Sequence, residues 1–302
     1  MDKIDFKYRA EEAAKIIETF ASDNSFPFEK RIFNGGMLWK YFLTTGDENE
    51  TVIDVYLKAN GDSSSIFMEK GQARIIHGII EYARQETKCE SRVGIDEAGK
   101  GDYFGPLVIA AAGVEGHNEI ELLTSGVGDS KLISDRSVIK IADKVKATCK
   151  YDVIAICPTK YNELYDKFRN LNRLLAWGHA RALENVLQKG NFKVAISDKF
   201  SMKDELRRAL FEKGKNVDLR ERHRAESDVA VAAASILARA EFLTSLDELS
   251  KRSGIKLPKG CSNAVFAPGR EIIDKLGREQ LGMYAKLHFK TTQYVIQPDL
   301  ME

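Results

Sequence analysis

Apolar residues recur along this chain in two rhythms, one of helical spacing and one of strands. In the first 22 residues Phe6, Ala10, Ala13, Ala14, Ile17 and Phe20 fall every three or four positions among charged neighbours, which predicts an amphipathic helix. After the turn Asn34-Gly35-Gly36, strands are expected over 37–44 and 51–58, joined by the acidic loop 46–50, and a third over 66–69 beyond Ser63-Ser64-Ser65. Residues 71–84 read as a helix. The expected result is a small α+β unit with an antiparallel sheet over 1–84, followed by a polar linker over 85–91.

From residue 92 the rhythm changes, and strands alternate with helices. Strands are expected over 92–97, 107–114, 150–157 and 192–197, and helices over 134–147, 171–189, 202–213 and 228–250. The run Leu107-Val108-Ile109-Ala110-Ala111-Ala112-Gly113-Val114 is apolar without alternation, as in a strand buried on both faces. Such alternation implies an α/β domain over 92–302, a sheet covered by helices.

At 302 residues the chain has room for one large or two ordinary domains, and 43% hydrophobic with 30% charged residues is the balance of an ordinary globule. The formal net charge of +1 excludes a polybasic chain, yet the charges are unevenly placed. Residues 1–90 carry 12 Lys/Arg against 16 Asp/Glu, and the remainder 34 against 29. Cys89, Cys149, Cys157 and Cys261 form no C-x-x-C pair, and the five histidines are dispersed, which argues against a Cys/His zinc site. Without a signal-peptide pattern or a run of about 18 apolar residues, a reducing cytoplasm and no membrane are expected. A monomer is the default.

Candidate chemistry concentrates in Val93-Gly94-Ile95-Asp96-Glu97-Ala98-Gly99-Lys100-Gly101. A short apolar strand delivers two adjacent carboxylates into a lysine flanked by glycines. Carboxylates supply the hard oxygen ligands that Mg²⁺ takes, and glycines let backbone N–H groups approach an anion. The pattern points to phosphodiester or phosphoryl chemistry. Gly94, Gly99 and Lys100 also have the G-x-x-x-x-G-K spacing of a phosphate-binding loop, but Gly101 replaces the Ser or Thr needed there, and two acids would sit inside the cradle. A solvated acidic turn is the plain alternative.

Asp198 follows Val194-Ala195-Ile196-Ser197, another carboxylate at a strand end, where sites of α/β sheets gather. Helix capping is its alternative role. Glu226 lies just before an alanine-rich helix whose cap is Ser227 or Asp228, and Asp228 is read as complementing the helix dipole. Ser130 and Lys131, in Asp129-Ser130-Lys131, are candidates for phosphate binding or for a capping loop before Ser134. Lys259, Ser262 and Asn263 form a similar polar loop. Arg173 is a further substrate-binding candidate, whereas His179 and Trp177 read as packing residues.

With these residues in hand the chain resembles the type 2 ribonucleases H, over nearly all of residues 92–292. The D-E-x-G-[RK]-G motif is met by Asp96, Glu97, Gly99, Lys100 and Gly101. Gly128-Asp129-Ser130-Lys131-Leu132, the run 172–180, Ala232–Ala238, the run 257–265 and Leu287-His288-Phe289-Lys290-Thr291 follow in order. Lys100, where the HII branch has Arg, and Glu226, where it has Asp, favour the HIII branch. The resemblance implies a ribonuclease H-like mixed sheet and Asp96, Glu97, Asp198 and Glu226 as catalytic metal ligands for Mg²⁺ or Mn²⁺. It implies endonucleolytic cleavage of the RNA strand of an RNA–DNA hybrid, leaving 5′-phosphate and 3′-hydroxyl ends. It places Gly99, Lys100 and Gly101 against the scissile region. It also implies an N-terminal domain like TATA-box-binding protein that grips the hybrid. The net acidity of residues 1–90 departs from that pattern. Two alternatives stay open: cleavage at single ribonucleotides, the HII habit, and a non-catalytic nucleic-acid-binding protein on the same fold.

Overall fold

The computed structural model describes residues 3–6, 10–33, 38–44, 50–57, 64–70, 79, 90–128, 130, 133–199, 204–223 and 225–297. The turn at 34–36, nearly all of the expected helix 71–84, most of the linker 85–91, and Lys131 lie outside them. The chain divides into two compact units, residues 1–90 with 115–128, and residues 91–114 with 129–302.

The first unit is an antiparallel sheet ordered β1 (Lys3–Phe6), β5 (Ser64–Lys70), β4 (Glu50–Leu57), β3 (Leu38–Thr44), β2 (Phe28–Phe33). Helix α1 (Ala10–Asp23) buries Ala14, Ile17, Phe20 and Ala21. It lies on the face that carries Tyr41, whose hydroxyl donates to Glu18 at 2.8 Å. The helix starts at Ala10 and not at the N-terminus. Lys3-Ile4-Asp5-Phe6 alternates with period two and pairs with β5, so sheet pairing overrides the helical reading there. Helix α2 (Glu119–Thr124) belongs to this unit as well.

The second unit is built on a mixed sheet ordered β10 (Asp218–Arg222), β9 (Val194–Asp198), β6 (Arg92–Ala98), β7 (Leu107–Val114), β8 (Lys150–Ile156). Strands β6, β9 and β10 run parallel, and β7 is antiparallel to both its neighbours. Helices α3 (Asp135–Thr148), α4 (Pro158–Phe168), α5 (Leu171–Lys189), α6 (Glu205–Ala209), α7 (Val229–Ser253), α8 (Phe266–Leu276) and α9 (Thr291–Ile296) surround it. Expectation placed a helix over 202–213; the observed α6 is shorter, and residues 201–203 lie outside the description.

Strand alternation assigns the two faces. Val93 and Ile95 of β6 and Ala195 of β9 join the core under α5, with Leu174, Leu183 and Val186. Val194 and Ile196 of β9 face the other way and pack on Val231 of α7. Gly94 belongs to this second face: a Cβ there would lie 2.0 Å from the Ala230 carbonyl carbon. Its missing side chain lets the first turn of α7 press directly on β6. Small residues at Ala230, Ala232, Ala233 and Ala234 allow the same approach from the helix. By length and composition α7 could cross a membrane, but 67% of its most apolar window is buried, which marks it as a core helix.

Candidate active site

The same alternation determines where the carboxylates point. Asp96 shares the α7 face with Gly94, and the Ser235 hydroxyl of α7 hydrogen-bonds it. Glu97 faces α5, where His179 Nε2 donates to its Oε2 at 3.0 Å. In β9, Ser197 faces α5 and Asp198 faces α7. Ile95 pairs with Ser197, so Asp96 and Asp198 leave neighbouring strands at the same level and on the same side. The Asp198 carboxylate accepts the Ala225 N–H at 3.4 Å, which ties β9 to the 3₁₀ turn Ala225–Ser227 carrying Glu226.

That turn is held from behind. Asp228 caps α7 by accepting the Ala230 N–H at 3.0 Å. Its carboxylate also receives Arg92 Nε at 2.9 Å and Arg222 Nη2 at 3.1 Å. Asp228 therefore does more than complement the helix dipole: it fixes the turn on which Glu226 sits.

All four acids line one cleft of about 370 Å³, together with Gly99, Asp102, Ser130, Ser235, Arg239 and Lys259. Yet among the described residues no three Asp, Glu, His or Cys side chains are gathered into a ready-made metal cage. Part of the separation comes from the sheet, since Glu97 departs from the face opposite to that of Asp96 and Asp198. Like charges also resist closer approach. Burial, and then the Glu97 charge, push the Asp96 carboxyl well above the usual carboxylate range, against the hydrogen bond from Ser235. Burial raises Glu97 too, but the hydrogen bond and charge of His179, with help from Lys100, outweigh it and leave Glu97 a stronger acid than usual. Lys100 Nζ lies 3.3 Å from Glu97 Oε1. An all-oxygen donor set with one carboxyl held back from ionising fits a hard divalent cation, which would relieve that charge.

The glycine turn is constrained in a different way. Gly99 has φ +82°, and a Cβ there would lie 2.2 Å from the Pro106 carbonyl oxygen, so no side chain fits. Gly101 is exposed with open space around it. The chain leaving the turn is stitched down. Asp102 Oδ1 accepts the Gly260 N–H at 2.5 Å. Lys286, fully buried, donates to the carbonyls of Asp102 at 2.8 Å and Gly105 at 2.6 Å.

Among the other expected residues, Ser130 lines the cleft, buried and 2.8 Å from the Ser235 hydroxyl. Lys259 also lines it, with Nζ 2.6 Å from Asp135 Oδ2. Arg239 Nη2 lies 2.6 Å from the other oxygen of Asp135, and Nη1 reaches the Ser130 carbonyl. Ser134 caps α3, so the loop serves capping as well as the cleft. Arg173, Ser262 and Asn263 are exposed and do not line the cleft. Lys131 lies outside the described residues.

Sequence reasoning missed His179, Ser235, Arg239, Asp102 and Lys286. His179 is buried with both ring nitrogens bonded, as expected of a satisfied packing residue, but the expectation did not include that one partner is a carboxylate of the cleft. A signal was available. Leu175, Ala182 and Leu183 stand four before, three after and four after it, so His179 lies on the face of α5 that meets the sheet.

A mixed sheet with carboxylates at adjacent strand ends and a glycine turn beside them defines a class, and the family model described as Ribonuclease HII matches residues 93–292. Proteins named ribonuclease HIII from Protochlamydia amoebophila and Chlamydia felis are 45% and 40% identical, over 75% and 78% of this chain and 79% of each relative. The solved structure of Bst-RNase HIII in complex with Mn²⁺ has a similar fold, with TM-score 0.66 at 24% identity, covering 99% of this chain and 100% of that one. RNase H3 of Aquifex aeolicus gives TM-score 0.55 at 28% identity, covering 95% and 100%. The chain belongs to the ribonuclease HIII family.

Proposed function

We propose that this protein is an endoribonuclease that hydrolyses the RNA strand of RNA–DNA hybrids, using Mg²⁺ or Mn²⁺ and leaving 5′-phosphate and 3′-hydroxyl ends. The observation that carries this reading is the cleft shared by Asp96, Glu97, Asp198 and Glu226, four acids drawn from three separate segments, beside the Gly99-Lys100-Gly101 turn. The four carboxylates would hold the divalent ions, whose chemistry is activation of the attacking water and stabilisation of the leaving oxygen.

The chain's own groups supply the rest. Asp96 and Asp198 present their oxygens from adjacent parallel strands, and Asp228 holds the turn that presents Glu226. Gly101, exposed with open space around it, leaves backbone free to approach the sugar–phosphate chain closely, and contact with the 2′-hydroxyl is how RNA is told from DNA at such a site. Lys100, Arg239 and Lys259 bring positive charge to the turn and the rim, suited to phosphate. In the first unit, Arg31, Phe33, Lys40 and Phe42 lie on the sheet face opposite α1, with the Arg31 guanidinium 4.7 Å over the Phe42 ring. Cations interleaved with rings support a role in gripping the hybrid. Cys149, Cys157 and Cys261 are free thiols, in keeping with action in a reducing cytoplasm.

The deciding experiment compares cleavage of an RNA–DNA hybrid with cleavage of a DNA duplex holding one ribonucleotide, in Mg²⁺ and in Mn²⁺. Cutting along the hybrid is expected. Cutting only at the single ribonucleotide would replace this reading with the HII-type one, and no cutting of either would leave a binding protein.

A further inference from the structure

His179 occupies an unusual place between two carboxylate-bearing strands. Its ring is fully buried on α5, 0% exposed. Nε2 meets Glu97 Oε2 at 3.0 Å and Nδ1 meets Ser197 Oγ at 3.2 Å. A carboxylate only accepts, so Nε2 carries the hydrogen of that bond. Ser197 immediately precedes Asp198, and its hydroxyl lies 3.2 Å from the Asp198 carbonyl oxygen. One imidazole thus spans the neighbouring strands β6 and β9 on the face opposite Asp96 and Asp198.

Glu97 needs such a partner more than the two aspartates do. Strand alternation turns it away from Asp96 and Asp198, and a glutamate has three rotatable bonds before its carboxylate. Glu97 lines the cleft; with Oε2 engaged by the ring, Oε1 is the oxygen left for other partners, and Lys100 Nζ lies 3.3 Å from it. We infer that His179 is a positioning residue, which fixes the Glu97 carboxylate so that its Oε1 is presented to a divalent cation in the cleft. Ser197 anchors the ring from its other nitrogen. The arrangement is that of an outer partner that orients a metal-binding side chain, a kind of contact whose loss costs about 10- to 100-fold in metal affinity. The inference rests on the four-carboxylate reading of the cleft.

The test is Mn²⁺ binding to the full-length protein without nucleic acid, followed by electron paramagnetic resonance of the free ion. His179→Met fills the space with no donor, and His179→Gln restores an N–H near the position of Nε2. Mn²⁺ affinity is expected to fall about 10- to 100-fold in H179M and to return to within about threefold of the parent in H179Q. Should H179M fail to fold, Ser197→Ala keeps the ring and removes its anchor, with affinity expected to fall at least about threefold. Parent-like affinity in H179M or in S197A, or equal losses in H179M and H179Q, would overturn the positioning role. Hybrid cleavage by the parent is measured alongside. Its absence would refute the nuclease reading, and the Mn²⁺ comparison would still decide the role of His179.

Discussion

Gly94→Ala adds one methyl group where strand β6 meets the first turn of helix α7. The new Cβ would stand 2.0 Å from the Ala230 carbonyl carbon and 2.2 Å from both the Ala230 oxygen and the Val231 nitrogen, where ordinary contact begins at 3.4 Å. The obstacle is helix backbone, which no rotamer change can move. Strand β6 and helix α7 must therefore separate by about 1.4 Å. Overpacking of a core costs about 1–3 kcal/mol, and a clash with backbone belongs at or beyond the top of that range. At about 2–4 °C per kcal/mol for a unit of this size, Tm should fall by about 6–12 °C. The displacement also moves Asp96 away from the turn that carries Glu226. A misplacement of about 1 Å can cost 100-fold in rate, so hybrid cleavage should drop about 100-fold at a temperature where both proteins are folded. Calorimetry and a cleavage assay read the two effects separately. A variant with parent-like Tm and cleavage within about threefold would refute the claim that this contact sets the site.

Three further outcomes are expected. Asp96→Asn should abolish turnover and leave hybrid binding nearly intact; cleavage within about tenfold of the parent would remove Asp96 from the ligand set. Arg31→Glu with Lys40→Glu should raise KM for a hybrid about tenfold and leave kcat within about twofold, and an unchanged KM would count against the gripping role. The hydrogen bond from Lys259, and then that from Arg239, hold the Asp135 carboxyl below its ordinary value of 3.8. The unfolded chain then takes up the proton first, so this contribution is present above pH 3.8 and is lost as the pH falls below it. Asp135 is 42% exposed, and screening keeps the contribution small. Asp135→Asn should cost about 0.5 kcal/mol in urea unfolding at neutral pH, with a gap that closes on acidification; a gap that widens would contradict the assignment.

Much of this site was legible because strand ends announce themselves. Val93-Gly94-Ile95 before Asp96, and Val194-Ala195-Ile196 before Asp198, are buried runs that stop at an acid, and the structure gives β6 and β9 those positions. The buried strand Leu107–Val114 and helix Leu171–Lys189 have the expected bounds. Elements without an apolar pattern were not legible. Strand β10, Asp-Leu-Arg-Glu-Arg, is an edge strand with one buried residue, and β2 is exposed at five of its six positions. Both are made by pairing with a neighbour, which local sequence does not encode. His179 escaped for a related reason, since its partner Glu97 is 82 residues away and only the packing of α5 on the sheet brings them together.

Asp96, Glu97, Asp198 and Glu226 are expected to serve one metal centre. Anomalous diffraction from a crystal of the full chain soaked with Mn²⁺ and bound to an uncleaved hybrid measures this directly. Ions are expected within the cleft, with oxygens of all four carboxylates at about 2.0–2.3 Å across the centre. Ions bound elsewhere, or a centre that leaves any of the four more than one bridging water away, would contradict it.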